Sequence, residues 1–278
     1  GSVLRSDENI GGDAHCWSGQ SFRVDHLDGQ PNTLHSPQDP IIRALGDVRF
    51  NLYIGTSLHI LAGGSVDVSG GILITGPEAG TEGNDFLRQE VSLSEGTTVN
   101  IDGQARRTLD IRAGVRSDAI GIPGPPSGIN FLTDLFLGGL TIGDPPVNRQ
   151  ADITLGSVLF VDFTDFDSLF EIINNINNSQ DIINRLAAGD ILLTNQYEPA
   201  PNIEGDIILS STIADVLDSF NLMLDPEEPI PDITLQSGGT DASGRIFIDS
   251  RNDIELNGLI NSSNTPLTGE FLTDGGDI

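Results

Sequence analysis

Three stretches of this sequence repeat one another without a gap, and that repetition limits the possible folds more than any other feature. Residues 58–70 read LHILAGGSVDVSG, residues 91–103 read VSLSEGTTVNIDG and residues 246–258 read IFIDSRNDIELNG. Leu58, Val91 and Ile246 coincide, then Ile60, Leu93 and Ile248. Beyond a short turn, Val66, Val99 and Ile254 align, followed by Val68, Ile101 and Leu256, and each copy ends on a glycine. This is a period-2 strand, a turn and a second period-2 strand. The turn carries Gly63 and Gly96 in two copies but Arg251 in the third, so a glycine there is not obligatory.

Single-strand echoes fill much of the remainder: DVRF from Asp47, TLDIRAG from Thr108, ADITLGSVLF from Ala151, GDILLTNQ from Gly189, GDIILSS from Gly205 and PDITLQS from Pro231. A strand of four to six residues with one apolar face cannot stand alone, whereas stacking such strands in coiled rungs buries every inward side chain on the rung above. The expected fold is all-β, a right-handed parallel β-helix, with residues 1–278 forming one segment of a larger protein. Gly275-Gly276-Asp277-Ile278 reads as the start of another strand. At about 20–25 residues per rung and ~4.8 Å per rung, the regular part is expected to be a rod of about 40 Å.

Three insertions interrupt the pattern. Residues from about 120 to 150 are rich in Pro and Gly and are expected to form a long loop. Residues 164–188 are expected to form a helical hairpin: Ser168 and Glu171 have capping-box spacing before Leu169, Ile172, Ile173 and Ile176, and Ser179 precedes Ile182, Ile183 and Leu186. Thr212 and Asp215 repeat the cap signal for a helix over 211–225, which Pro226 ends. The apolar stripes of these helices are expected to pack over a side or strand edge of the solenoid.

The formal charge of −28 arises from 41 acidic residues against 13 basic ones, and every basic residue is Arg. Such a surface repels nucleic acid and anionic membranes, so neither is expected as a partner. The single cysteine, Cys16, leaves no internal disulfide and no multi-cysteine zinc site. No run of 18 apolar residues occurs, and the start does not read as a signal peptide.

The DITL, DIIL and DIEL repeats, together with LRSDENIGGDAHCWSGQSFRV, SLHILAGGSV, TLDIRAG and ILLTNQY, resemble filamentous-haemagglutinin-like exoproteins, especially the large cyanobacterial ones. The likeness runs through nearly the whole chain and is to the β-helical body of that family. The NPNG and NPNL signatures of its secretion domain do not occur here. The resemblance implies two-partner secretion of the full-length protein through an outer-membrane transporter and a secreted, cell-surface location. It also implies a structural or adhesive role, with host or matrix glycans or proteins as possible partners and no enzymatic activity.

The residues that could carry chemistry have plainer readings. Cys16 beside His15, with His26, His35 and His59, formally supplies a thiol and imidazoles. No cysteine-protease phrase surrounds Cys16, and a packing thiol next to Trp17 is the simpler expectation. His59 alternates with Leu58 and Ile60 and is expected to face solvent. Asp162, Asp165 and Asp167 in VDFTDFD lack the spacing of an EF-hand and are expected to be helix-capping and solvated charge. The enzymatic alternative is a β-helical polysaccharide lyase or hydrolase acting on extracellular glycans, with clustered acids and an Arg base drawn from Arg106, Arg107 and Arg112. No motif selects such a cluster, and one Trp with two Tyr gives few rings on which sugars could stack. No catalytic, cofactor or metal residue is therefore assigned.

Overall fold

A computed structural model describes residues 2–5, 10–11, 15–36, 40–77, 88–121, 149–163, 184–212, 215, 233–239 and 242–263. Most of them lie in or between short strands that build three parallel sheets. The first sheet stacks Ser2–Arg5, Phe22–Asp25, Val48–Arg49, Val66–Val68, Ile153–Leu155, Ile207–Leu209 and Ile254–Leu256. Stacked in the second are Ile10–Gly11, Leu34–Ser36, Leu52–Thr56, Gly71–Gly76, Val158–Phe160, Ile233–Gln236 and Leu259–Asn261. The third holds His15–Ser18, Ile41–Ala44, Leu58–Ala62, Arg107–Arg112, Gly189–Thr194 and Arg245–Asp249. The chain visits the sheets in the same cyclic order throughout, and each strand pairs with its counterpart one circuit earlier. This arrangement is consistent with a parallel β-helix.

Register explains the shared core. In the first sheet Phe22, Val48, Val66, Ile153 and Ile207 stack directly; in the second Leu34, Tyr53, Ile72 and Val158 do; in the third Ile42, Ile60, Ile111 and Leu193 do. All belong to one apolar cluster drawn from the three sheets. Each fully buried aliphatic side chain contributes about 1.5–3 kcal/mol. Tyr53 also sits inside, and its hydroxyl donates to the Thr56 carbonyl oxygen at 2.9 Å.

A second line of contacts runs alongside the core, at the position just before each strand of the first sheet. The Asp47 N–H donates to Ser21 Oγ at 3.2 Å, Ser65 N–H to Asp47 Oδ1 at 3.0 Å and Asp152 N–H to Ser65 Oγ at 3.0 Å. Asp206 N–H then donates to Asp152 Oδ1 at 3.0 Å, and Asp253 N–H to Asp206 Oδ1 at 3.1 Å. A side-chain oxygen on each rung thus satisfies a backbone donor on the next. This ladder accounts for the Asp of DITL, DIIL and DIEL at Asp152, Asp206 and Asp253.

One of the three aligned repeats is not a rung. Residues Arg88–Ser92 and Thr98–Asp102 form an antiparallel hairpin, with Val91 opposite Val99. Alternation of period 2 is the same for a hairpin arm as for a rung strand, so the sequence pattern could not separate them. The aligned glycines also differ in purpose. Gly96 has φ of +89° in the hairpin turn, while a Cβ on Gly63 would lie 2.4 Å from the Leu45 carbonyl oxygen of the neighbouring rung.

Seven strands at ~4.8 Å spacing give an axial length of about 30 Å, shorter than the 40 Å expected, because excursions such as the hairpin use up chain without adding rungs. Most of the 120–150 loop, residues 164–183 of the helical hairpin and most of the 211–225 helix lie outside the described residues. Leu186, expected in that hairpin's second helix, instead bridges Val161 in antiparallel fashion. Thr212 and Asp215 of the cap signal are in contact, the Asp215 carboxylate accepting from Thr212 N–H at 2.7 Å and from its Oγ1 at 2.9 Å, while the helix expected to follow lies outside the described residues. A four-residue helix, Ser117–Ile120, was not foreseen. Among the described residues no helix is long and apolar enough to cross a membrane.

Candidate functional site

Strand alternation puts every second residue of the third sheet on its outer face. Register aligns His15, Ile41, His59, Asp110, Leu192 and Phe247 in one outward column, and Trp17, Arg43, Leu61, Arg112, Thr194 and Asp249 in the next. Over part of this face lies the hairpin, whose Val91, Leu93, Val99 and Ile101 pack with Leu192, Tyr197 and Phe247 as a second apolar cluster. Ser94 at the hairpin turn secures it further, donating its N–H to Asp249 Oδ2 at 2.9 Å and its hydroxyl to Oδ1 at 2.5 Å.

Covering this outer face turns it into a second interior that contains charge. His59, Asp110 and Arg112 have no solvent exposure. Arg112 grips Asp110 with two bonds, Nε to Oδ1 at 2.9 Å and Nη2 to Oδ2 at 2.8 Å, the fork geometry that suits a guanidinium and a carboxylate. His59 Nδ1 lies 3.3 Å from Asp110 Oδ2 on the adjacent rung. Arg112 Nη1 donates to Gln89 Oε1 of the hairpin at 2.8 Å, and Gln89 Nε2 donates to the Tyr197 hydroxyl at 2.5 Å. The guanidinium also lies 4.4 Å from the centre of the Tyr197 ring. Burial alone would raise the Asp110 carboxyl, but the Arg112 charge and the hydrogen bonds from His59 and Arg112 outweigh it and hold the group below its ordinary range.

His59 does point away from the Leu58 and Ile60 face, but it is buried and not solvated, because alternation fixes direction and says nothing of what covers a face. Cys16 packs against the core, while its neighbours His15 and Trp17 and the more distant His59 occupy outward columns, so thiol and imidazole are not assembled. Burial raises the Cys16 thiol. The three arginines of the enzymatic alternative diverge to separate carboxylates: Arg112 to Asp110, Arg107 to Asp162 at 3.1 Å and Arg106 to Asp190 at 3.3 Å. Asp190 is shared with Arg245, whose Nε donates to Oδ1 at 3.0 Å. Asp162 is exposed, and Asp165 and Asp167 lie outside the described residues. No group of three or more His, Cys, Asp or Glu among the described residues is arranged to hold a metal ion.

No protein-family model, curated protein or solved structure matches this chain.

The network can brace the hairpin against the wall, with His59, Asp110 and Arg112 fully buried and Gln89 and Tyr197 half-buried at its margin. Sequence reading missed Gln89 and Tyr197, which are brought in from the hairpin and from the turn after Gly189–Thr194. It also missed Asn195, whose amide bridges rungs by donating to the Gly205 carbonyl at 2.8 Å and accepting from Arg251 N–H at 2.6 Å. A usable signal for part of the network was present in TLDIR, where an Asp and an Arg two residues apart share one strand face.

Proposed function

We propose that this chain is a length of right-handed parallel β-helix serving as a structural or adhesive shaft in a secreted cell-surface exoprotein of the filamentous-haemagglutinin type, without a catalytic role. The observation that carries the reading is the cyclic order of three parallel sheets around one apolar cluster. Handedness follows from the strong preference of crossovers between parallel strands for the right-handed path. A coil of this kind transmits position along its axis, which suits the display of distal parts or the presentation of a flank to a surface. The full-length protein would leave the cell through an outer-membrane transporter and meet glycans or proteins of a host or matrix. Commitment of the nearby arginines to separate carboxylates supports the absence of a sugar-cleaving centre.

Two measurements test this. A crystal structure is expected to show a closed right-handed coil; a left-handed path, or sheets layered without closure, would overturn the architecture. Incubation with a panel of acidic polysaccharides and added calcium is expected to release no unsaturated or reducing product. Turnover of any member, abolished by a single acidic substitution, would overturn the non-catalytic assignment.

A further inference from the structure

The hairpin covers the outer face of the third sheet unevenly. Its apolar residues pack on Leu192 and Phe247 of the later strands, away from Trp17 and Arg43 on His15–Ser18 and Ile41–Ala44. Register sets Arg43 directly beside Trp17, and its guanidinium carbon lies 4.7 Å from the centre of the indole ring, so the two side chains form one half-buried shelf. Arg43 differs from the arginines of the neighbouring strands. Arg23, Arg49 and Arg88 lie 2.9, 3.5 and 2.9 Å from aspartate oxygens, whereas Arg43 has no carboxylate partner among the described residues, in a chain with 41 acidic side chains. Its contacts are the indole and one long bond from Nη1 to the Gly121 carbonyl oxygen at 3.5 Å, and its Nε is buried without an acceptor. Burial and the like charge of Arg112 both push the Arg43 guanidinium down from its ordinary range, and the Tyr197 phenol opposes them. A guanidinium keeps its proton under such pressure, so the shelf favours an incoming anion.

We propose that Trp17, Arg43 and the Gly121 carbonyl form a binding site for a sugar acid, a ligand with one carboxylate on a hydroxylated ring. The guanidinium fork fits a carboxylate through two parallel bonds. Beside Nη1, the Gly121 oxygen accepts from a hydroxyl adjacent to that carboxylate, and the indole gives the C–H side of the ring an apolar flank. A single charge is favoured because the net −28 of the chain repels a ligand in proportion to the charge it carries, which disfavours polyuronates and sulfated chains. Gly121 keeps the guanidinium edge open: its φ is +65°, and a Cβ there would lie 3.3 Å from Arg43 Nη1. The inference rests on the adhesive reading and deepens it by naming a ligand class. Turnover of a polysaccharide would sink the non-catalytic reading alone, whereas indifference of Trp17 to a sugar acid would sink this one alone.

Trp17 is the single tryptophan, so its fluorescence and its indole N–H NMR signal report on the site without a label. Titrating the full chain with sodium glucuronate should shift both saturably, with a Kd of about 1 mM, as suits one fork and few further contacts. Glucuronamide, which carries a neutral amide in place of the carboxylate, and acetate, which has no ring, should each bind about tenfold more weakly or worse. Aspartate blocked at both ends supplies the same carboxylate from a polypeptide source; binding as tight as glucuronate would overturn the sugar assignment, and weaker binding supports it. Arg43→Lys, which loses the fork, and Gly121→Ala, which crowds it, should each weaken glucuronate about tenfold. Arg49→Gln, at an arginine paired with Asp67, should leave binding unchanged, and thermal melting of each variant checks that it folds. No saturable shift up to about 50 mM, an equal response to glucuronamide and acetate, or one that survives Arg43→Gln would overturn the proposal.

Discussion

Asp110 loses all its hydration on folding and recovers the loss from one guanidinium and one imidazole. Removing one member of such a pair strands the other, so Asp110→Ala is expected to lower stability by about 3–5 kcal/mol, measured by urea unfolding. Its folded pKa is depressed, so the folded chain binds fewer protons than the unfolded one as pH passes between the depressed value and the ordinary ~3.9. The stabilisation is therefore complete above that range and is lost as pH falls through the folded value. Carboxyl NMR should find Asp110 ionised at a pH where exposed aspartates have taken up protons; titration at or above ~3.9 would contradict the network. Cys16 should react slowly with iodoacetamide at neutral pH and quickly in urea, since burial suppresses its thiolate.

At the level of strands and turns, the letters DI recur with different physical meanings, and this sets what the sequence could reveal. Asp152, Asp206 and Asp253 are ladder residues; Asp110 is a buried ion-pair partner; Asp190 is held between Arg106 and Arg245. Apolar alternation located the strands in all of these cases, because inward burial has a period that can be read locally. Pairing partners cannot be read that way, which is why Val91 to Gly103 passed for a rung and why the cover over His59 went unseen. The ladder accepts either hydroxyl or carboxylate oxygen, so Asp206→Ser should be nearly neutral, whereas Asp206→Ala should cost about 1 kcal/mol in urea unfolding. Val99→Asp, which places charge in the seam between hairpin and sheet, should expose the amides of residues 88–102 to hydrogen exchange. The amides of Ile60, Ile111 and Leu193 should stay protected; their simultaneous loss would mean that the hairpin is integral to the core.

Across the whole molecule, 41 acidic side chains face 13 arginines, and the described arginines are largely drawn into local pairs. The surplus repels itself over distances that salt screens, so melting temperature is expected to rise between low salt and about 0.5 M sodium chloride, contrary to the usual weakening of surface pairs. A flat or falling profile would mean that paired charges outweigh the surplus.

The ladder also shows how such a chain can vary. Consecutive steps are separated by 18 residues between Asp47 and Ser65 but by 87 between Ser65 and Asp152, yet the vertical advance is one rung in both cases. The architecture counts circuits and ignores contour length. Foreign sequence could therefore be spliced between Gly76 and Arg88, ahead of the hairpin, without disturbing the levels above or below, making that junction a natural graft point for cargo.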